Sequence, residues 1–244
     1  MVSIEDIREQ FSSKDKIKGL ILPKTITPNV AYLCGVFAGD GNISYRENKK
    51  EYSITCAGNP IDERKFYHEV IGPMFKELFR FSPKIKHFKS DNTYGFVIFS
   101  KGLTTYLTEY IGLPKGKKYS KLCIPKKLKE KEELIVCFIR GLFDTDGCIT
   151  FKKRYRDYPY YPTISISSKS PSFILEVSNF LKIHGFTFYE VYNYKIKDKR
   201  FKKGFNLISR IELNGIERLQ GFMENIGFKN PKHLNKISKY YEKK

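Results

Sequence analysis

One stretch of this chain occurs twice, and that repetition limits the fold more than any other feature. Residues Tyr32-Leu33-Cys34-Gly35-Val36-Phe37-Ala38-Gly39-Asp40-Gly41 share a pattern with Phe138-Ile139-Arg140-Gly141-Leu142-Phe143-Asp144-Thr145-Asp146-Gly147, and Gly35/Gly141, Asp40/Asp146 and Gly41/Gly147 are all separated by 106 residues. Each copy is apolar and small for two helical turns and ends in Asp-Gly. Glycine at this point is the usual helix stop, because it reaches the left-handed conformation without steric cost. Asp40 and Asp146 are therefore expected at helix C-termini, beside unpaired carbonyls and the negative end of the helix dipole, where an acid is locally unfavourable. A cation expected at both places removes the conflict. Carboxylates beside free carbonyl oxygens suit a hard divalent ion such as Mg²⁺. Gly35, Ala38 and Gly39 on one helix, and Gly141 and Thr145 on the other, leave little side chain to hold two backbones apart. If the helices pair through these faces, the two aspartates arrive side by side.

The two stretches resemble the signature of the LAGLIDADG homing endonucleases, read here over 33–41 and 139–147. The resemblance implies an α+β protein of two pseudo-symmetric αββαββα half-domains, whose antiparallel sheets form a DNA-binding saddle and whose motif helices form the joint. It further implies hydrolysis of one phosphodiester per aspartate, so that Asp40 and Asp146 together make a double-strand break. The carbonyls of Gly39 and Thr145 are the expected companion metal ligands. Asp144 takes the signature's earlier acidic position, which is Ala38 in the first copy, and is read as structural. The family also tends to place a lysine near each attacking water. Lys169 matches that position in the second half, whereas Ala57 stands there in the first, so the two sites are expected to be chemically unequal.

The order of elements supports a duplication. After the first motif the pattern switches to alternation: 43–46 and 52–55 form a hairpin, Asn59-Pro60 starts a helix that Gly72-Pro73 is expected to kink, strands follow at 84–89 and 93–99, and a helix runs from about 102 to 113. After the second motif come 148–152, 163–167, the cap Ser170-Pro171, and strands at 186–197 and 205–213. Ile226-Gly227 then repeats Ile111-Gly112 at a spacing of 115 residues. The expected division is an N-terminal extension over 1–29, half-domains over 30–113 and 132–244, and a lysine-rich linker over 114–131. The linker's Lys115, Lys117, Lys118 and Lys121 serve either as phosphate contacts or as a solvated surface.

Charge points to the partner. Lys and Arg number 45 against 26 Asp and Glu, a net charge of +19, and such an excess seeks a polyanion, nucleic acid by default. Period two leaves one face of each hairpin polar and basic, and a two-stranded ribbon fits the DNA major groove. The expected DNA-facing residues are Ser44, Arg46, Ser53, Thr55, Lys84 and Lys86 in the first half. In the second they are Thr150, Lys152, Arg154, Ser165, Ser167, Lys195, Lys197 and Arg210.

Five cysteines, never spaced as CxxC, argue for a reducing compartment and against structural zinc. With no secretion signal at Met1-Val2-Ser3 and no apolar run of membrane-spanning length, a cytoplasmic protein is expected. Inteins with this domain begin in Cys or Ser and end in His-Asn; this chain begins Met1-Val2, and a free-standing, intron-encoded enzyme is the better fit. Two motifs in one chain imply a monomer. Two other classes remain open at this point: an intron RNA maturase, and a catalytically inactive DNA-binding protein of the same fold.

Overall fold

The computed structural model describes residues 2–118, 121–152, 160–197, 199 and 204–242. The chain opens with α1 (Ile4–Glu9) and α2 (Ser13–Ile17), each started by a reciprocal serine–aspartate box, Ser3 with Asp6 and Ser12 with Asp15. Ile4, Ile7, Leu20 and Leu22 are buried, so this extension is packed on the body of the protein. The first motif is α3 (Pro28–Gly39), capped by Thr27 with Pro28 at its first turn. It leads directly into β1 (Gly41–Arg46) and β2 (Glu51–Gly58).

Asn59 Oδ1 accepts from the amides of Ile61 and Asp62, so it closes a turn instead of capping the helix directly. The helix then runs through wide π-type turns over Phe66–Ile71 into α4 (Gly72–Phe79). Those widened turns fall just before Pro73, where the sequence predicts a kink. The hairpin of β3 (Lys86–Phe88) and β4 (Thr93–Phe99) follows, then α5 (Lys101–Thr105), which continues in wide turns over Tyr106–Ile111. The buried carboxylate of Asp15 accepts from the Ser100 hydroxyl and, at 3.1 Å, from the Gly102 amide at the start of α5, which ties the N-terminal extension to the first half.

The second motif is α6 (Glu132–Thr145), followed by β5 (Gly147–Lys152), β6 (Tyr161–Ser168), α7 (Pro171–Ile183), β7 (Tyr189–Lys197), β8 (Phe205–Asn214), α8 (Ile216–Asn225) and α9 (Pro231–Tyr241). Two four-stranded antiparallel sheets result, ordered β1-β2-β4-β3 and β5-β6-β8-β7. The same order in both is the α+β, two-half architecture that the repeat predicts. One face of each sheet is covered: Ile43, Ile54, Cys56, Phe96 and Ile98 are buried in the first, and Ile149, Ile164, Ile166, Ile211 and Leu213 in the second. The opposite faces carry the polar rows.

Gly41 and Gly147 depart from expectation. Neither adopts positive φ, so neither is a left-handed stop; each begins a strand. A side chain on Gly41 would overlap the Phe37 backbone, and one on Gly147 the Phe143 backbone, so glycine is needed for close approach. Among the described residues no helix is long and apolar enough to cross a membrane, and all five cysteines are free thiols.

Candidate active site

α3 and α6 lie backbone against backbone. A Cβ on Gly35 would overlap the Phe138 carbonyl oxygen, and one on Gly141 the Tyr32 carbonyl oxygen, so both glycines are required by the crossing itself. One turn on, Gly39 faces the Thr145 side chain, and a Cβ there would lie 3.4 Å from the Asp146 carboxyl carbon. The crossing thus brings the ends of the helices, and with them Asp40 and Asp146, to one place. Burial pushes Asp40 up to about 7, and the negative charges of Glu63 and Asp146 push in the same direction. Asp146 is exposed to the groove on one side, yet protein surrounds it on the others, and this loss of water raises its pKa too. Lys118 and Lys232 pull both aspartates back towards ionisation, Lys232 more strongly at Asp40 and Lys118 more strongly at Asp146.

Three of these charged partners lie outside the residues assigned to the site from sequence. Lys118, from the lysine-rich stretch, donates to the carbonyls of Ala38 and Gly41 at 2.8 Å, of Phe37 at 3.3 Å, and of Gly39. Burial lowers its pKa, opposed by Asp146, Cys56 and Asp40. Lys232, at the first turn of α9, donates to Glu63 Oε1 at 2.5 Å, and Glu63 Oε2 accepts from the Asn59 amide at 2.7 Å. The repeat holds the signal that finds both lysines: they are 114 residues apart, close to the 115 that separate Ile111-Gly112 from Ile226-Gly227. Lys169 sits just past β6 with its side chain exposed. The positive charges acting most on the aspartates are Lys118 and Lys232.

Asp144 anchors the segment that delivers Lys232. Its buried carboxylate accepts from the Tyr32 hydroxyl at 2.6 Å and from the amides of Lys229 and Asn230 at 3.0 Å. Asn230 Nδ2 returns a bond to the Asp144 carbonyl at 2.8 Å. Burial raises Asp144 to about 6, while these hydrogen bonds and Arg140 favour the ion.

The polar rows flank this centre. Ser44, Ser53 and Phe99 align across three strands, with the two serine hydroxyls 2.9 Å apart, although Ser53 itself is buried. Thr55 lies in the next row, and Arg46 pairs with Glu51 at 3.6 Å. Lys86 stands opposite Gly95 on the same face, and Lys84 precedes β3. In the second half Asp146, Cys148, Thr150, Ser165, Ser167, Arg210 and Glu212 line one groove, where Arg210 bonds Ser167 and Glu212 at 3.1 Å. Lys195 and Lys197 do not join this row. A bulge between Val191 and Tyr194, with Asn193 at φ 53°, shifts the alternation, so they stand opposite Leu207 and Phe205 instead of in phase with Arg210. Arg154 and the Lys152 side chain lie outside the described residues.

The oxygen-rich floor fits a hard cation. The Asp146 charge acts on Asp40, and the carbonyls of Ala38, Gly39 and Gly41 already accept from the Lys118 ammonium, so an ion bound at the Gly39 carbonyl would take the place of that ammonium there. Among the described residues no three His, Cys, Asp or Glu side chains are grouped to hold a metal. An ion here would therefore take its remaining ligands from backbone, water and substrate, as Mg²⁺ commonly does.

A family model described as a LAGLIDADG-like domain matches residues 133–227. The replication factor C small subunit of Methanocaldococcus jannaschii is 28% identical over 204 residues, covering 83% of this chain but only 10% of that protein, so the chain spans a tenth of this curated relative. The homing endonuclease I-DmoI, solved with DNA and Mn, superposes with a TM-score of 0.54 at 20% identity, covering 83% of this chain and 98% of that one. The LAGLIDADG homing endonuclease I-LtrWI, bound to target DNA, gives 0.51 at 12% identity over 86% and 88%. The second half of the chain thus contains a LAGLIDADG-like domain, and the whole has the fold of the LAGLIDADG homing endonucleases.

Proposed function

We propose, with that fold and domain as the premise, that the chain is a site-specific DNA endonuclease that makes a double-strand break by divalent-metal-dependent phosphodiester hydrolysis. The observation that carries this reading is the meeting of Asp40 and Asp146 at the joint of α3 and α6, with polar sheet faces on either side. Asp40 and Asp146, with the carbonyls of Gly39 and Thr145, would hold the ion, and Mg²⁺ is the one we assign. When bound, such an ion lowers the pKa of an attacking water and stabilises charge on the phosphate and leaving oxygen.

The chain's own groups do the rest. The carboxylates repel a bare phosphate, and Lys118 and Lys232 offset that repulsion at the place where the DNA backbone must approach. To hydrogen-bond a phosphate oxygen, Lys118 would exchange a backbone carbonyl for it and Lys232 its bond to Glu63. The faces bearing Ser44, Arg46, Thr55 and Lys86, and Thr150, Ser165, Ser167 and Arg210, would lie along the groove. Phosphate contacts fix register there and base edges set sequence. On this reading residues 30–113 and 132–244 are the half-domains of a monomer. The stretch 114–131 joins them and also contributes Lys118 to the centre. Lys169 remains a candidate for orienting water on the second side.

Incubating the protein with Mg²⁺ and a randomised duplex library, then sequencing the cut ends, tests the proposal. The expected result is one long consensus cut on both strands, lost in EDTA. Binding of structured RNA with no enriched DNA ends would contradict it and favour a maturase.

A further inference from the structure

The two lysines of the site are held differently. Lys232 is paired with a full carboxylate: its side chain is 16% exposed and that of Glu63 4% exposed, with 2.5 Å between the charged atoms. Among the described residues, the hydrogen bonds of the Lys118 ammonium go to backbone carbonyls, which carry partial charge. The repeat does not reproduce Glu63. It lies four residues after Asn59 in Asn59-Pro60, and four residues after the matching Ser170 comes Ile174, which is apolar and fully buried. Gly58 makes the arrangement possible, since a Cβ there would overlap the Glu63 carboxylate and lie 3.2 Å from Asp40 Oδ2. The Glu63 carboxylate therefore occupies space beside Asp40, held from one end by the Asn59 amide and from the other by Lys232.

We propose that Glu63 makes the two catalytic centres unequal by tethering and neutralising Lys232, so that the DNA strands are cut in sequence and not together. This inference rests on the endonuclease reading. A phosphate arriving at Lys118 meets a cation hydrogen-bonded to dipoles, on which Asp146 and Asp40 act through space without an ion pair at hydrogen-bond distance among the described residues. One arriving at Lys232 must first compete with an ion already in place, and it feels the added negative charge of Glu63 next to Asp40. The centre served by Lys232 is accordingly the slow one. Glu63 acts here through Lys232 and is a positioning residue.

The test follows supercoiled target DNA through its nicked form to the linear product, with the two strand-cutting rates measured separately. For the unmodified protein the rates are expected to differ by roughly tenfold, equivalent to about 1.4 kcal/mol in barrier, with nicked DNA accumulating and always nicked in the same strand. Glu63→Gln keeps the shape and an acceptor for the Asn59 amide but removes the charge. It is expected to speed the slow cut more than the fast one, until the rates agree within about twofold. Acetylation of DNA-free protein, read by mass spectrometry, gives a second readout: Lys232 should react faster in Glu63→Gln while Lys118 does not change. Equal rates in the unmodified protein would overturn the inference without any variant. An unchanged rate ratio in Glu63→Gln, or an unchanged Lys232 reactivity, would also overturn it. A protein that cuts neither strand would overturn the endonuclease reading and this inference with it, whereas equal cutting of both strands removes the inference alone.

Discussion

Asp40 carries a cost that can be measured without any substrate. Burial and the neighbouring charges of Glu63 and Asp146 raise it from 3.8 to about 7, so the folded protein binds a proton there that the unfolded chain releases. A carboxyl raised in this way contributes stability below its unfolded pKa and loses it as pH climbs through the folded one. In EDTA, Asp40→Asn is therefore expected to stabilise the protein at pH 8 by on the order of 2 kcal/mol, and to give no gain near pH 3. Urea titration at the two values checks it. Asp146 shifts in the same direction, but its open side admits water and a smaller gain is expected. At this scale the aspartates were legible because Asp-Gly ends both copies of one pattern. Lys118, Lys232 and Glu63 were not, because each is one of many charged residues until a tertiary contact selects it. Only the 114-residue spacing of the lysines carried a hint.

The helix crossing is where the fold is least tolerant of change. Alanine favours a helix over glycine by about 1 kcal/mol, yet a methyl on Gly141 would overlap the Tyr32 carbonyl and force the helices apart. Gly141→Ala is accordingly expected to destabilise the protein by about 1–3 kcal/mol and to reduce cleavage, with chemical denaturation as the measurement. The same substitution at Gly185, where nothing lies nearby but φ is +75°, tests conformational strain alone. The pairing of small faces could be read from the sequence, because residue size alone decides how near two backbones come. The roles of Gly41 and Gly147 could not, since a helix stop and a close approach both select glycine. Lys195 and Lys197 are exposed but fall out of phase with Arg210 for a related reason. Alternation predicts faces only while the register is unbroken, and the bulge at Asn193 breaks it.

Across the whole molecule, a charge of +19 predicts steep salt dependence of DNA binding, because each phosphate neutralised contributes a slope of about −0.9 in log K against log salt. Arg46→Ala and Lys86→Ala are each expected to reduce that slope by about 1 without changing the consensus. Arg210→Ala, from the groove beside Asp146, is expected to relax sequence preference at one position; binding isotherms across a salt series and library sequencing distinguish the two effects. The two-half architecture was legible from the ordered repeats. The seating of the N-terminal extension was not, because it depends on a long-range contact between Asp15 and Ser100. The claim on which all these scales converge is that two helix-terminal acids at one joint each serve one DNA strand. Strand-resolved cleavage of an end-labelled target by Asp40→Asn, Asp146→Asn and the double variant tests it most directly. The expected result is that neither single variant makes a double-strand break, that any residual nicking falls on opposite strands in the two, and that the double variant binds the target but cuts nothing. Cleavage of both strands by the double variant at the unmodified rate would contradict it.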